Sequence, residues 1–331
     1  MTKFLRLIRL PNLIIIALTM CGVRYGLLET IWLETSQVLQ AEGFSAIVEA
    51  RLHMKGFDFF MLMASVLLIA AGGYIINDYF DVKADRINKK HLVVLDSSRN
   101  RRLALASFVL CGIIGILLGL WVALRVGNWK LVSIQLFSFI TLWFYSSHLK
   151  KQMLSGNLLI ALLAALVPFI TGLYELLSKA LPSLETINLL LPGAGTSVLS
   201  KGAALVLGFA LFAFLSNLIR EIIKDTEDIP GDLEAGCRTL PIVIGENPTR
   251  YVVLFFIFFT SGLLGFVQQY LFRSGMELLF WFLMLAIQLP LLVLAYLLWN
   301  AQQRSDYSKA SFLSKLIIVC GVLSMFLFRY Q

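Results

Sequence analysis

The chain has 331 residues, of which 59% are hydrophobic and only 15% are charged, whereas soluble domains average about 25% charged residues. This composition excludes a soluble globular protein, a disordered chain and a coiled coil, and it predicts an integral membrane protein. The net charge of +8 does not indicate a nucleic-acid partner, because the basic residues lie at the ends of apolar runs, where they orient membrane helices.

Nine runs of apolar residues are each long enough to cross about 30 Å of hydrocarbon as a helix. In chain order they lie near 4–28, 57–80, 102–125, 130–148, 153–176, 201–224, 250–273, 276–300 and 310–329. The sequence therefore predicts an all-α integral membrane protein with nine transmembrane helices, and we expect residues 1–331 to form a single domain.

The distribution of basic residues predicts the orientation. With the N-terminus in the cytoplasm, 19 of the 28 Lys and Arg residues lie inside, as the excess of positive charge in cytoplasmic loops requires. The cytoplasmic loops are then 81–101, 149–152, 225–249 and 301–309. Outside, the mixed segment 29–56 predicts an amphipathic helix on the membrane surface, and 177–200 predicts an irregular connection.

The cysteines do not indicate zinc or redox chemistry. They are far apart, and neither a CxxC motif nor a Cys/His pair occurs. The four positions are Cys21, Cys111, Cys237 and Cys320.

Acidic residues are concentrated in two stretches, each at the predicted cytoplasmic end of a long apolar run. The first contains Asp78, Asp81 and Asp85, and the second repeats the same spacing, which places three residues on one face of a helix. Like charges stacked in this way repel, and a divalent cation removes the repulsion. Mg²⁺ prefers oxygen ligands and binds carboxylates together with substrate phosphates. The second set is Asp225, Asp228 and Asp232.

Two other interpretations remain open at this point. Acids at helix ends can simply be solvated, and acids within membranes often mark the ion paths of transporters and channels. The repeated spacing, and the position of both stretches at helix ends on one side of the membrane, favour a diphosphate site.

The same residues resemble the motifs of the UbiA superfamily of membrane prenyltransferases. Residues 77–85 match its NDxxDxxxD motif in full, and residues 220–232 with 236–245 are similar to its second acidic motif. The RLPN at 9–12 is similar to the RxPN at the start of the family's first helix, and YSSHLKK at 145–151 is similar to its YxxxxK element.

The resemblance implies nine helices around a central cavity, in which Mg²⁺ assists transfer of a polyprenyl group from its diphosphate to an acceptor. It implies metal ligands at Asp78, Asp81, Asp85, Asp225 and Asp228. Tyr145 could face the developing carbocation with its π-system or hydrogen-bond the diphosphate. Substrate contacts are implied for Asn77, Arg86, Lys150 (or Lys151), Lys224, Asp232 and Asn12.

The acceptor is the open part of this hypothesis. The form of 220–232 is most similar to the branch of the family that prenylates geranylgeranylglyceryl phosphate to make an ether lipid. An aromatic quinone precursor is the alternative acceptor. Residues 87–96 depart from the proline-rich sequence that many members carry there, which affects the inference about substrate more than that about chemistry. We expect the active site to face the cytoplasm from a plasma membrane.

Overall fold

The computed structural model describes residues 7–41, 54–88, 98–178 and 193–330. In these ranges every regular element is helical, so the all-α prediction is confirmed. In chain order the helices are α1 (Leu10–Cys21), α2 (Glu29–Ala41), α3 (Gly56–Phe80), α4 (Val82–Asn88), α5 (Ser98–Val126), α6 (Val132–Ser147), α7 (Ser155–Leu176), α8 (Ala194–Glu234), α9 (Leu240–Ile244), α10 (Glu246–Arg273), α11 (Glu277–Leu283), α12 (Leu289–Trp299) and α13 (Arg304–Leu327).

Within the described residues, eight helical stretches are long and apolar enough to cross a membrane. They coincide with eight of the nine predicted spans. The remaining prediction, 130–148, corresponds to a 3₁₀ turn at Trp129–Leu131 followed by α6, which has 16 residues and is therefore about 24 Å long.

The first span is longer than the sequence predicts. A π-helical segment, Gly22–Leu28, joins α1 to α2 without a break, so the helix ends at Ala41 and not near residue 28. The prediction of a surface helix is therefore wrong for 29–41, while 42–53 lie outside the described residues. The physical reason is that Trp32, one of the residues that suggested a face lying on lipid, is buried within the protein, as is its neighbour Ile31.

The two acidic stretches differ in local structure. The helix α8 runs through the second stretch, so Asp225, Asp228 and Asp232 share a helical face as predicted. In the first stretch α3 ends at Phe80, and Asp81 has φ −84° and ψ 0° before α4 begins. The single helical face predicted there is therefore interrupted at Asp81.

Two apolar clusters flank a central cavity. One is built mainly from α8 and α10 to α13, and its fully buried members include Ile222, Ile257 and Leu294. The other joins α1, α3, α5, α6 and α7 through residues such as Met20 and Leu62. Because each cluster holds several helices together, the cavity between them has a packed wall on both sides.

Candidate active site

The cavity has a volume of about 690 Å³ and changes from polar to apolar along its length. Its polar end is lined by Asn77, Tyr145, Lys150, Glu221 and Lys224. These residues come from the end of α3, the end of α6, the turn after α6 and the last third of α8. The rest of the wall is mostly apolar and includes Val66, Ile69, Val167, Phe209, Phe212 and Leu264.

Basic side chains from distant parts of the chain neutralise the first acidic stretch. The Arg9 guanidinium donates to Asp78 Oδ1 at 2.9 Å, and the Lys150 ammonium forms an ion pair with Asp81. Asn77 Nδ2 donates to Asp81 Oδ2 at 2.8 Å. Each contact fixes a carboxylate at the C-terminal end of α3.

Lys150 connects the two acidic stretches. Burial lowers the pKa of Lys150, but the nearby charge of Asp81 raises it by a larger amount. The resulting pKa of Lys150 is well above the usual value for lysine. Asp232 of α8 also attracts the same ammonium group. The lysine therefore remains charged and lies between carboxylates of both stretches.

The pKa of Arg9 is raised in the same way. Burial lowers it, and the neighbouring Asp78 charge more than offsets that effect. The Arg9 guanidinium also lies over the Tyr74 ring, 5.2 Å from its centroid. Arg9 is thus a permanent cation in the cavity wall.

The second stretch is held by amide and guanidinium groups. Asn157 Nδ2 of α7 donates to Asp225 Oδ2 at 2.7 Å. Arg304 lies 3.8 Å from Asp228 Oδ1. Asp232 is buried and is close enough to Asp81 for their charges to repel. The stretches therefore face one another across the polar end of the cavity.

A side-chain bridge keeps α4 against α8. Asn88 Nδ2 donates to the Asp228 backbone oxygen at 3.0 Å, and Asn88 Oδ1 accepts from the Gly231 backbone N–H at 3.2 Å. Because α4 carries Asp85, this bridge determines how far the last carboxylate of the first stretch lies from the second stretch.

Most of the predicted substrate-binding residues lie at the cavity. Asn12, Asn77, Tyr145, Lys150 and Lys224 line it. Asp232 is buried, and its charge acts on the Lys150 ammonium.

Arg86 is placed differently. It is exposed on α4 and is not among the residues that line the cavity in the described part of the chain. Lys151, the alternative to Lys150, is exposed, and its backbone carbonyl accepts from the Arg238 backbone N–H at 2.9 Å.

Several cavity residues were not predicted as site residues. Arg9 belongs to the RLPN motif, and Arg220 and Glu221 belong to the second acidic stretch, so these motifs could have indicated all three residues. No local pattern marks Tyr74 or Lys315 as a site residue, because each lies in a predominantly apolar span and belongs to no recognisable motif. The unpredicted residues that line the cavity include Arg9, Tyr74, Asn217, Arg220, Glu221 and Lys315.

The oxygen ligands available at the polar end suit Mg²⁺. Among the described residues, no three His, Cys, Asp or Glu side chains converge closely enough to hold a metal ion by themselves. Mg²⁺ is commonly bound through one or two carboxylates together with substrate phosphates, so a complete carboxylate cage is not required. Asp78, Asp81 and Asp225, with amides from Asn77 and Asn157 beside them, have the appropriate chemistry.

Residues 43–318 match the profile of the UbiA prenyltransferase family. The chain belongs to this family. The resemblance of the acidic motifs is therefore confirmed, and the chain is a UbiA prenyltransferase. The transporter and channel alternatives are excluded by this assignment.

Relatives of this UbiA protein share much of its length. Digeranylgeranylglyceryl phosphate synthase of Thermococcus gammatolerans is 30% identical over 260 residues, which cover 78% of this chain and 81% of the relative. The synthase of the same name from Saccharolobus solfataricus is 28% identical over 290 residues, covering 86% and 89%.

Solved structures share the fold. A structure described as giving insights into digeranylgeranylglyceryl phosphate synthase in membranes has a TM-score of 0.54 and 19% identity, covering 98% of both chains. A UbiA homologue from Archaeoglobus fulgidus, bound to DMAPP and Mg²⁺, has a TM-score of 0.53 and 16% identity, covering 98% of this chain and 99% of that one. The predicted helical bundle around a central cavity is therefore confirmed.

Proposed function

We propose that this UbiA prenyltransferase uses Mg²⁺ to transfer a polyprenyl group from an allylic diphosphate to geranylgeranylglyceryl phosphate. The main structural support is the continuous cavity, which joins a charged end beside both acidic stretches to an apolar interior. A polyprenyl diphosphate has the same division into a charged head and an apolar chain. The names of the relatives that share about four fifths of their length support the choice of acceptor.

In the proposed reaction, the bond between the allylic carbon and the diphosphate oxygen breaks, and the acceptor hydroxyl oxygen forms a new bond to that carbon. The hydroxyl proton passes to the released diphosphate, which leaves as the second product. Bound Mg²⁺ would neutralise negative charge on the leaving diphosphate. The proposed metal ligands are Asp78, Asp81, Asp85, Asp225 and Asp228.

The basic residues of the polar end bind the leaving group. Lys150 and Lys224 line the cavity beside the acidic stretches, where they can stabilise charge that develops on phosphate oxygens. The raised pKa of Lys150 keeps the ammonium protonated throughout the physiological range. Asn77 and Asp232 hold these groups in position through the contacts described above.

The remaining walls protect the reacting carbon. Tyr145 is buried where the polar end meets the interior, and its ring can stabilise a carbocation through its π-face. The apolar interior holds the isoprenoid chain and excludes water. Asn12, one helical turn into the membrane from Arg9, lies in the wall near Tyr74.

We also propose that the polar end faces the cytoplasm and that the protein resides in the plasma membrane. The excess of Lys and Arg in the loops on that side supports this orientation. The orientation is tested with single cysteines introduced at Lys151 and at Lys201, in a background where the native cysteines are replaced. The measurement is the accessibility of each cysteine to a membrane-impermeant thiol reagent.

The transferase proposal is tested with purified protein in detergent. The protein is incubated with geranylgeranyl diphosphate, Mg²⁺ and three acceptors: geranylgeranylglyceryl phosphate, 4-hydroxybenzoate and 1,4-dihydroxy-2-naphthoate. Products are identified by mass. Asp81→Asn tests the acidic site, and Glu246→Gln is the matched control because Glu246 is an exposed carboxylate at the start of α10.

We expect an adduct only with geranylgeranylglyceryl phosphate. It should be abolished by EDTA, restored by Mg²⁺, greatly reduced in Asp81→Asn and unchanged in Glu246→Gln. An adduct with an aromatic acceptor alone would replace the proposed acceptor with a quinone precursor. Full activity in EDTA would contradict the role of the metal.

A further inference from the structure

Lys315 is a cation in the middle of a membrane-spanning helix. It lies eleven residues after the start of α13, about 16 Å along the helix axis, and its side chain lines the cavity. Among the described residues, no carboxylate lies within 4.0 Å of its ammonium group, and no hydrogen bond to it is formed. An intramembrane charge of this kind is costly and is by default a functional feature.

The neighbours of Lys315 increase this cost. Its charge is repelled by those of Arg220 and Arg9, which line the same cavity. Each of those arginines has a carboxylate partner: Arg220 pairs with Glu221, and Arg9 pairs with Asp78. Lys315 thus adds a positive charge beside two arginines whose carboxylate partners, Asp78 and Glu221, are already paired.

The cavity wall as a whole has an excess of positive charge. Its charged lining in the described part of the chain consists of five cations and a single carboxylate, Glu221; the cations are Arg9, Lys150, Arg220, Lys224 and Lys315. Such a wall favours an anionic ligand. The diphosphate accounts for the cations beside the acidic stretches, whereas Lys315 comes from α13, which carries neither stretch, and its cationic neighbours are Arg220 and Arg9.

We infer that Lys315, assisted by Arg220, binds the phosphate of the acceptor at a subsite distinct from the diphosphate site. This inference rests on the proposed function, in which the acceptor is a prenylated glycerol phosphate. In such a molecule the reacting hydroxyl is at most two carbons from the carbon that carries the phosphate. The phosphate must therefore be bound inside the cavity, close to the reacting carbon, and Lys315 supplies a charge there.

The test is a comparison of steady-state kinetics with two acceptors, geranylgeranylglyceryl phosphate and its phosphate-free alcohol. The variants are Lys315→Gln, which removes the charge, and Lys315→Arg, which keeps it. Lys309→Gln is the matched control, because Lys309 lies on the same helix and its side chain is 68% exposed. Thermal unfolding in detergent verifies that each variant is folded.

We expect Lys315→Gln to raise the KM for the phosphorylated acceptor by about tenfold to a hundredfold, the range for a lost charged hydrogen bond. The KM for the donor should remain close to wild type. Lys315→Arg should restore most of the affinity, and Lys309→Gln should match wild type. With the phosphate-free alcohol, Lys315→Gln and wild type should react at the same rate.

Two results would contradict the proposed subsite while leaving the proposed function intact. One is an unchanged acceptor KM in Lys315→Gln, and the other is a raised donor KM with an unchanged acceptor KM. If the wild-type protein forms no product with geranylgeranylglyceryl phosphate, the proposed function itself is wrong and the subsite is rejected with it. The wild-type reaction therefore distinguishes the two failures.

Discussion

Gly231 of α8 lies between two carboxylates of the second acidic stretch and packs directly against α4. A Cβ atom added there would lie 2.2 Å from Asn88 Nδ2 and 2.8 Å from the Ala84 backbone oxygen. Ordinary contacts are about 3.5 Å, so Gly231→Ala requires α4 to move away from α8 by roughly 1 Å. This movement would separate Asp85 from the second stretch.

The expected effects follow from that displacement. Two hydrogen bonds of Asn88, at 3.0 and 3.2 Å, would be weakened, each contributing about 0.5–1.5 kcal/mol, and overpacking adds about 1–3 kcal/mol. A 1 Å misplacement of catalytic groups can reduce a rate by about 10²-fold. We therefore expect Gly231→Ala to lower kcat/KM by about tenfold to a hundredfold and to increase the Mg²⁺ concentration required for half-maximal activity.

The assay is prenyl transfer measured as a function of Mg²⁺ concentration, with thermal unfolding as a separate measure of stability. Gly262→Ala is the control, because a Cβ at this position in α10 meets nothing within 4 Å. Wild-type kcat/KM and Mg²⁺ dependence in Gly231→Ala would refute the view that this contact positions the acidic stretches.

Three further predictions concern other contacts. Asn157→Leu removes the amide that donates to Asp225 at 2.7 Å, so it should raise the Mg²⁺ requirement more than the donor KM in the same titration; equal shifts would contradict this role. Lys150→Met should lower kcat/KM by at least about 10²-fold. Because the Lys150 pKa is raised above its usual value, this lysine stays protonated between pH 6 and 9. If wild-type activity fell towards pH 9 and this fall were absent in Lys150→Met, the proposed permanent charge of Lys150 would be disproved. Gly26→Ala places a Cβ 2.3 Å from a backbone oxygen of α13 and should destabilise the protein by about 1–3 kcal/mol in detergent unfolding. Gly321→Ala is the control, because its Cβ meets nothing within 4 Å. Equal stabilities of the two variants would show that the first span and α13 are not closely packed at Gly26.

Long-range pairs are the part of the site that sequence reasoning did not find. The partners Arg9 and Asp78 are 69 residues apart, and Asn157 and Asp225 are 68 residues apart. Spacing within one helix indicates which side chains share a face, but it does not indicate which helices are neighbours. The residue types at the polar end were therefore predictable, whereas their pairing was not.

The extent of the helices shows the same division. The first span was predicted to end near residue 28, because the segment that follows has a mixed composition. In the structure the helix continues to Ala41, because residues of that segment pack against other helices. Local composition measures the preference for lipid over water, and it does not include burial against protein.

The sequence by itself determined the membrane class, the helical fold and the two acidic motifs. In hydrocarbon, backbone polar groups must hydrogen-bond within the protein, so only helices or closed barrels can cross it. The few charged residues within such an apolar chain are then easy to identify. Only the tertiary structure decided that Arg9 and Lys150 neutralise the first acidic stretch, and that Lys315 lines the cavity without a carboxylate partner among the described residues. These outcomes depend on how helices pack, and helices that are apolar around most of their circumference carry little local information about their neighbours.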